Sequence, residues 1–258
     1  MKKDNGKKSL SYRCYRVILW LIKTVYPRIE VMGTEHIPKE SCVLVGNHTQ
    51  MHGPICAELY IPGKRKIWCA WQMMHLKEVP PYAFQDFWSA KPGYTKWFYK
   101  LLSYLIAPLS VCIFSNAHTI AVYHDNRLLS TFKQTVAALQ DDTNVVIFPE
   151  HYVPHNHIVY GFQDKFIDIA KLYYKRTGKA LSFVPMYVAP KLRKVYFGKA
   201  VTFCPEAPIE EERQRICQYL MDEITQIAVS LPLHTVVPYA NIPKKDYPQN
   251  IRTEEEKI

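Results

Sequence analysis

The sequence predicts a single α/β domain, a mixed central sheet flanked by helices. Three observations carry that prediction. Short uncharged runs recur at 42–46 (CVLVG), 144–148 (NVVIF) and 182–188 (SFVPMYV), segments of helical period stand between them, and polar residues collect where the runs end. At 258 residues the chain suits one large domain, and it contains no Gly/Ser-rich linker. The expected division is a basic amphipathic helix over residues 1–30, the α/β domain over 31–232 and an extended or disordered tail over 233–258.

Composition narrows the classes of partner. Lys plus Arg number 33 against 23 Asp plus Glu, a net charge of +10 that suits an anionic partner such as acidic lipid, a phosphorylated substrate or nucleic acid. Nucleic-acid binding asks for a basic stripe interleaved with exposed aromatics, and KLYYKR at 171–176 is only a fragment of one. No nucleic-acid partner is therefore expected. The seven cysteines are scattered, odd in number and without a CxxC pair, which fits reduced thiols in a cytosolic setting and gives no zinc knuckle.

The N-terminal segment joins a basic start, MKKDNGKK, to an apolar core from Val17 to Ile22. That core is too short to cross a bilayer and has no small-residue cleavage site. Arg13, Arg16 and Lys23 flank Val17, Leu19, Trp20 and Ile22, the pattern of a helix lying on an anionic membrane surface or, alternatively, packed on the domain. A second apolar window, 94–114, is uncharged from Leu101 to Phe114 but interrupted by Pro108. Its Trp97, Phe98, Tyr99 and Tyr104 suit an interfacial or re-entrant helix, with a buried helix and a full span as alternatives.

Between and after these segments the elements alternate. A short strand near Ile29 and a turn at Gly33 precede the strand ending at Gly46; a helix follows Pro54 and stops before Pro62 and Gly63; Lys64 to Met74 offers a further strand. Thr119 to Tyr123 is a strand, and Leu128 to Leu139 has one apolar face in Leu129, Phe132, Val136 and Leu139. The run 144–148 leads directly into Pro149, Glu150 and His151, after which 151–162 reads as a loop. Asp164 to Lys175 is a helix closed by Gly178, and Val195 to Phe203 a strand or hairpin around Gly198. The last helix opens with Glu210, Glu211 and Glu212, acids that complement its dipole, and Ile216, Leu220, Ile224 and Ile227 form its apolar face.

Three strand ends carry polar chemistry: Asn47 and His48, then His124 to Arg127, then Glu150 and His151. The segments NHTQMHGP, VYHDNR, FPEH and FVPMYV resemble, in order and approximate spacing, the four motifs of the lysophospholipid (1-acylglycerol-3-phosphate) acyltransferase family. The likeness extends over roughly His36 to Pro205. It implies a glycerolipid acyltransferase-like fold with membrane-facing hydrophobic helices, at the cytoplasmic face of the cell membrane, peripheral or monotopic. It also implies transfer of an acyl group from acyl-CoA or acyl carrier protein to a lysolipid hydroxyl, with no further cofactor and no metal.

In the family's HxxxxD motif the histidine is the general base and the aspartate orients it. His48 matches the histidine, and an imidazole titrating near neutrality suits that task. The aspartate's place holds Gly53. By analogy with serine hydrolases, an absent orienting carboxylate costs on the order of 10⁴ in rate, so Glu150 and His52 stand as substitutes. Phe148, Pro149 and Glu150 match the family's FPEGTR, whereas His151, Tyr152 and Val153 replace its Gly, Thr and Arg. Pro185 matches the proline of the fourth motif, and the arginine of the second falls near His124, with Arg127 three residues on.

The expected catalytic pair is thus His48 and Glu150, and the expected substrate-binding residues are Asn47, His52, His124, Arg127, Pro149 and His151. Two other readings stay open. One keeps the fold as a lipid-binding module with weak or no catalysis. The other gathers His48, His52, His151, His155 and His157 beside Glu150 into a divalent metal site.

Overall fold

The computed structural model describes residues 10–89 and 91–252. The basic start at 1–9 and the last residues of the tail, 253–258, lie outside them. In chain order the helices are α1 (Leu10–Val25), α2 (His52–Leu59), α3 (Val79–Ala83), α4 (Lys96–Asn116), α5 (Leu128–Gln140), α6 (Asp168–Thr177) and α7 (Ile209–Ser230). The strands are β1 (Glu30–Met32), β2 (Val43–Gly46), β3 (Arg65–Ala70), β4 (Thr119–Val122), β5 (Asn144–Ile147), β6 (Glu150–Pro154), β7 (Tyr160–Phe162), β8 (Ser182–Ala189), β9 (Lys194–Phe197) and β10 (Val201–Thr202).

The architecture is mixed α/β with a central sheet flanked by helices, as the alternation of segments predicts. The chain forms two compact units: the segment up to Pro27 with Cys69–Asp125, and Arg28–Trp68 with the rest of the chain from Asn126. In the larger unit the strands lie in the order β1-β9-β8-β2-β5-β3. β2 runs parallel to both β5 and β8, while β9 and β10 run antiparallel to β8. Val43, Leu44, Val45, Val145, Val146, Phe183 and Val184 are fully buried, which explains why these strands read as unbroken apolar runs rather than alternating ones. Pro185 offers no N–H to the sheet; its carbonyl accepts Gly198 N–H at 2.9 Å, where the chain bulges between β9 and β10.

Helix α7 packs on β8 and α5 on β5. Ile216, Leu220, Ile224 and Ala228 bury one stripe of α7, whereas its acidic start is largely exposed and Glu212 alone turns inward, capping Cys204 N–H at 2.7 Å. Arg213 forks onto Asp168 at 2.8 and 2.7 Å, tying α7 to the first turn of α6.

Two segments differ from the sequence reading. Residues 150–162 form an antiparallel pair, β6 with β7, rather than a loop. Expected to be extended or disordered, the described part of the tail has little regular structure, yet it is packed: His234, Val236, Val237 and Asn250 are buried. Its ends are tied by a bridge between Thr235 and Gln249.

In the smaller unit α4 packs against α3 and α1. Small residues make the close approach possible: Ser103, Ala107 and Ser110 are the buried positions of α4, and Ser110 Oγ donates to Met73 O at 3.0 Å. Asn116 Nδ2 reaches Ser11 Oγ at 2.7 Å, fixing the start of α1 on the end of α4. The helix continues through Pro108. The rest of its surface carries Trp97, Phe98, Leu101, Tyr104, Leu105 and Leu109, all exposed. Residues Gly93–Asn116 are long and apolar enough to cross a membrane by length and composition, with only 17% of the most apolar window buried.

Candidate active site

Three of the recurrent apolar runs become neighbours in the sheet, in the order β8-β2-β5 and all parallel. Their C-terminal ends therefore open on one edge, where ligands bind in open α/β sheets. The end of β2 is pinned there by Asn47. Its side chain mimics one more rung of the ladder, with Val188 N–H donating to Oδ1 at 2.7 Å and Nδ2 donating to Val188 O at 3.1 Å. Asn47 is thus buried, with both polar atoms of its side chain engaged by Val188.

The turn that follows is strained. Thr49 and Gln50 adopt φ of +46° and +54°, a left-handed conformation that a β-branched residue such as threonine resists. The strained turn carries the chain from β2 into α2, which starts at His52, with His48 at its beginning. The main-chain N–H of His48 donates to Glu150 Oε2, and Glu150 Oε1 accepts Tyr160 N–H at 2.8 Å. Glu150 is buried and spends both oxygens on backbone donors, clamping the turn to the β6–β7 pair.

The imidazole itself is held by rings. Phe148 and Tyr239 each meet it edge-on, with centroids 5.4 Å away and interplanar angles of 68° and 71°. Nδ1 of His48 is sealed from solvent without a hydrogen-bond partner, as is Thr49 Oγ1. Desolvation pushes the His48 pKa down to about 4, against a smaller opposing effect from the backbones of Gln50 and His48 itself. Burial likewise pushes Glu150 up to about 7, although the two N–H donors favour its charged form. The neutral imidazole is therefore the form present at physiological pH.

At Gly53, where the resemblance sets an aspartate, the backbone leaves little room for a side chain. The Gly53 N–H donates to His48 O at 3.1 Å, so its Cα sits directly on the turn. A Cβ at this position would press on His48 O and come within 2.9 Å of Phe148 Cε1. The fold has closed over the space that an aspartate would need.

The other predicted residues fall in several places. Pro149 is buried and its carbonyl accepts Gln163 N–H at 2.9 Å, a role in the β5–β6 corner. His52 is half-buried at the start of α2, and its pKa is lowered by burial and by the charge of Lys191. His151 accepts Val153 N–H on Nδ1 at 3.2 Å, with its ring against Gly161. Arg127 stands at the cap of α5 in the larger unit, and His124 belongs to the smaller one. His155 pairs with Asp222 at 3.8 Å, and among the described residues no three His, Cys, Asp or Glu side chains stand close enough together to hold a metal ion.

Sequence reasoning missed Tyr239, Gln50 and Tyr247. Gln50 Nε2 donates to Tyr247 OH at 2.9 Å and lies 3.4 Å from Ala240 O, so the tail segment grips the same turn that Tyr239 covers. The available signal was the apolar VVPY at 236–239, out of place in a solvated tail.

No protein-family model matches the chain, and no curated protein matches it. Among solved structures it is similar to the crystal structure of the 1-acyl-sn-glycerophosphate (LPA) acyltransferase PlsC from Thermotoga maritima, at 15% identity and a TM-score of 0.45, over 84% of this chain and 78% of that one. So distant a likeness says nothing of individual residues, whose roles have to be read from this chain.

Proposed function

We propose that this protein transfers a fatty acyl group from a thioester donor, acyl-CoA or acyl carrier protein, to a hydroxyl of a (lyso)glycerolipid at a membrane surface. The observation that supports this reading is the convergence at one sheet edge of three of the four resembling segments, with His48 held to Glu150 through its main chain there. Because Nδ1 is sealed, Nε2 is the nitrogen left to react. It takes the proton of the acceptor hydroxyl as that oxygen attacks the thioester carbonyl. The tetrahedral intermediate then expels the donor thiolate, which leaves with the proton from the imidazolium.

Two features set the expected pace. Keeping Nε2 free to accept requires the proton on Nδ1, where it has no acceptor, a burial cost of about 1–3 kcal/mol. The imidazolium formed in the reaction is disfavoured by the same desolvation that lowers its pKa. Turnover slower than that of an enzyme with an oriented imidazole follows from both.

The surface reading is that α1 and α4 lie on an anionic bilayer. Trp20, Leu21, Trp97, Tyr104 and Leu105 are exposed on helices that also carry Arg13, Arg16, Lys96 and Lys100. Incubating the purified chain with labelled acyl-CoA or acyl carrier protein and a panel of lysolipids tests the reaction, and acylated product above the no-protein control is the expected result. A second reading is favoured by the sealed Nδ1 and the closed space at Gly53: a module that binds acyl lipid without turnover. It predicts lipid retained through purification and no product in the same incubation.

A further inference from the structure

The tail segment beyond α7 is a loop with stapled ends. His234 N–H donates to Asn250 Oδ1 at 2.7 Å, Asn250 N–H returns to His234 O at 3.1 Å, and Val236 N–H donates to Pro248 O at 2.9 Å. Asn250 Nδ2 holds Ala228 O, in the last turn of α7, at 2.8 Å. The base of the loop is anchored to the sheet through His234. Pro232 O lies 2.7 Å from His234 Nδ1 and can only accept, so Nδ1 carries the proton and Nε2 accepts Tyr187 O–H at 2.8 Å. Closed ends and internal packing are the marks of a compact Ω-type loop rather than a tail.

What the loop holds is specific. Val236 and Val237 are buried at 2% and 5% exposure, which fixes the backbone one turn ahead of Tyr239. The Tyr239 ring then meets His48 at 5.4 Å, backed by Tyr160 at 6.0 Å and Tyr152 at 5.3 Å. Gln50, two residues past His48, is caught by Tyr247 OH of the same loop. Phe148 meets the same imidazole at 5.4 Å, so two aromatic rings pack at steep angles to it while Nδ1 has no hydrogen-bond partner.

We propose that Tyr239 is the positioning residue for the His48 imidazole, fixing by ring contact from the C-terminal loop what a carboxylate at position 53 has no room to fix. The proposal rests on the reading of His48 as the reacting base. Of the other titratable groups around the ring, Glu150 meets His48 through the main chain, Tyr160 stands behind Tyr239, and the charge of Lys191 acts on His52 in the next turn. None of these replaces the contact made by Tyr239. The ring also keeps water from the imidazole, so the role is readable without any substrate.

The test is a histidine-labelled NMR titration of the full chain, wild type against Tyr239→Phe and Tyr239→Ala, with His48→Gln to assign the signal. In wild type and Tyr239→Phe, His48 stays neutral down to a midpoint near pH 4, whereas in Tyr239→Ala the midpoint rises toward the ordinary value of about 6.5. In the acyl-transfer assay Tyr239→Ala lowers kcat by about tenfold or more with KM within about twofold, and Tyr239→Phe restores it. An unmoved His48 midpoint in Tyr239→Ala overturns the proposal. If that variant does not fold, Tyr239→Leu, which keeps apolar bulk without a ring, is read the same way. A shifted titration in a chain that shows no turnover overturns acyl transfer and leaves the positioning role standing; turnover with an unmoved titration does the reverse.

Discussion

Placing an aspartate at position 53 should harm this protein rather than improve it. Gly53 is buried in the first turn of α2, and a Cβ there would press on His48 O and stand 2.9 Å from Phe148 Cε1 and 3.1 Å from His48 C. The nearest obstacles are backbone atoms of a strained turn, which cannot swing aside as the end of a flexible side chain can. Overpacking of this kind costs about 1–3 kcal/mol. Burying a carboxylate beside that turn without a preformed hydrogen bond adds about 1–3 kcal/mol. An acid in the first turn of a helix returns at most about 1 kcal/mol. The net loss for Gly53→Asp is therefore about 1–6 kcal/mol, or roughly 2–24 °C in Tm for a chain of this size. Thermal unfolding of wild type, Gly53→Ala and Gly53→Asp measures it, with the alanine variant reporting the steric part alone. A Gly53→Asp protein that melts no lower than wild type and turns over ten times faster would refute the argument that the fold has closed this space.

Three further outcomes follow from the same geometry. Glu150→Gln keeps one acceptor but sets an amide N–H against one of the two backbone donors, so turnover falls, and stability falls at about pH 5, where the wild-type carboxyl is uncharged and the substitution relieves no buried charge. The folded pKa of Glu150 is raised above its unfolded value, so wild-type stability decreases as pH rises from about 4.5 to about 7, by about 3 kcal/mol, and then levels; denaturant midpoints across that range should show the slope in wild type and not in Glu150→Gln. Asn47→Leu strands the N–H and C–O of Val188 inside the sheet edge and should cost about 2–4 kcal/mol in urea unfolding, with a loss below 0.5 kcal/mol counting against its role as a ladder rung. Trp97→Glu with Leu105→Glu should weaken sedimentation with anionic vesicles at least tenfold while leaving Tm within a few degrees, because both side chains are exposed; unchanged vesicle binding would remove α4 from the membrane-facing surface.

The sheet was legible in the sequence for a physical reason. Strands buried on both faces show as continuous apolar runs, and the segments at 42–46, 144–148 and 182–188 became three adjacent strands. The β6–β7 pair was not, since HYVPHNHIVYGF carries proline, histidine and asparagine where a strand pattern would alternate, and its pairing bulges between Glu150 and Pro154. At the site, His48 and Glu150 were found as residue types, but not their relation. That Glu150 holds the histidine by its main chain depends on a contact across 102 residues, and that Tyr239 covers it depends on a loop closed by His234 and Asn250. Composition reports what a segment is made of; whether two proline-flanked ends meet is decided by bonds it does not display. Gly53 was recognised as a missing aspartate, while the packing that excludes one is visible only in three dimensions.

In the proposed reaction the imidazole of His48, partnerless at Nδ1 and packed against Phe148 and Tyr239, carries a proton during acyl transfer. The most direct test of that role is the initial rate of acyl-lipid formation from acyl-CoA and lysolipid on vesicles, for wild type and His48→Ala at equal folded concentration. His48→Ala should lose about 10²-fold or more in kcat, the scale on which general-base catalysis contributes. Equal turnover by the two proteins would contradict it.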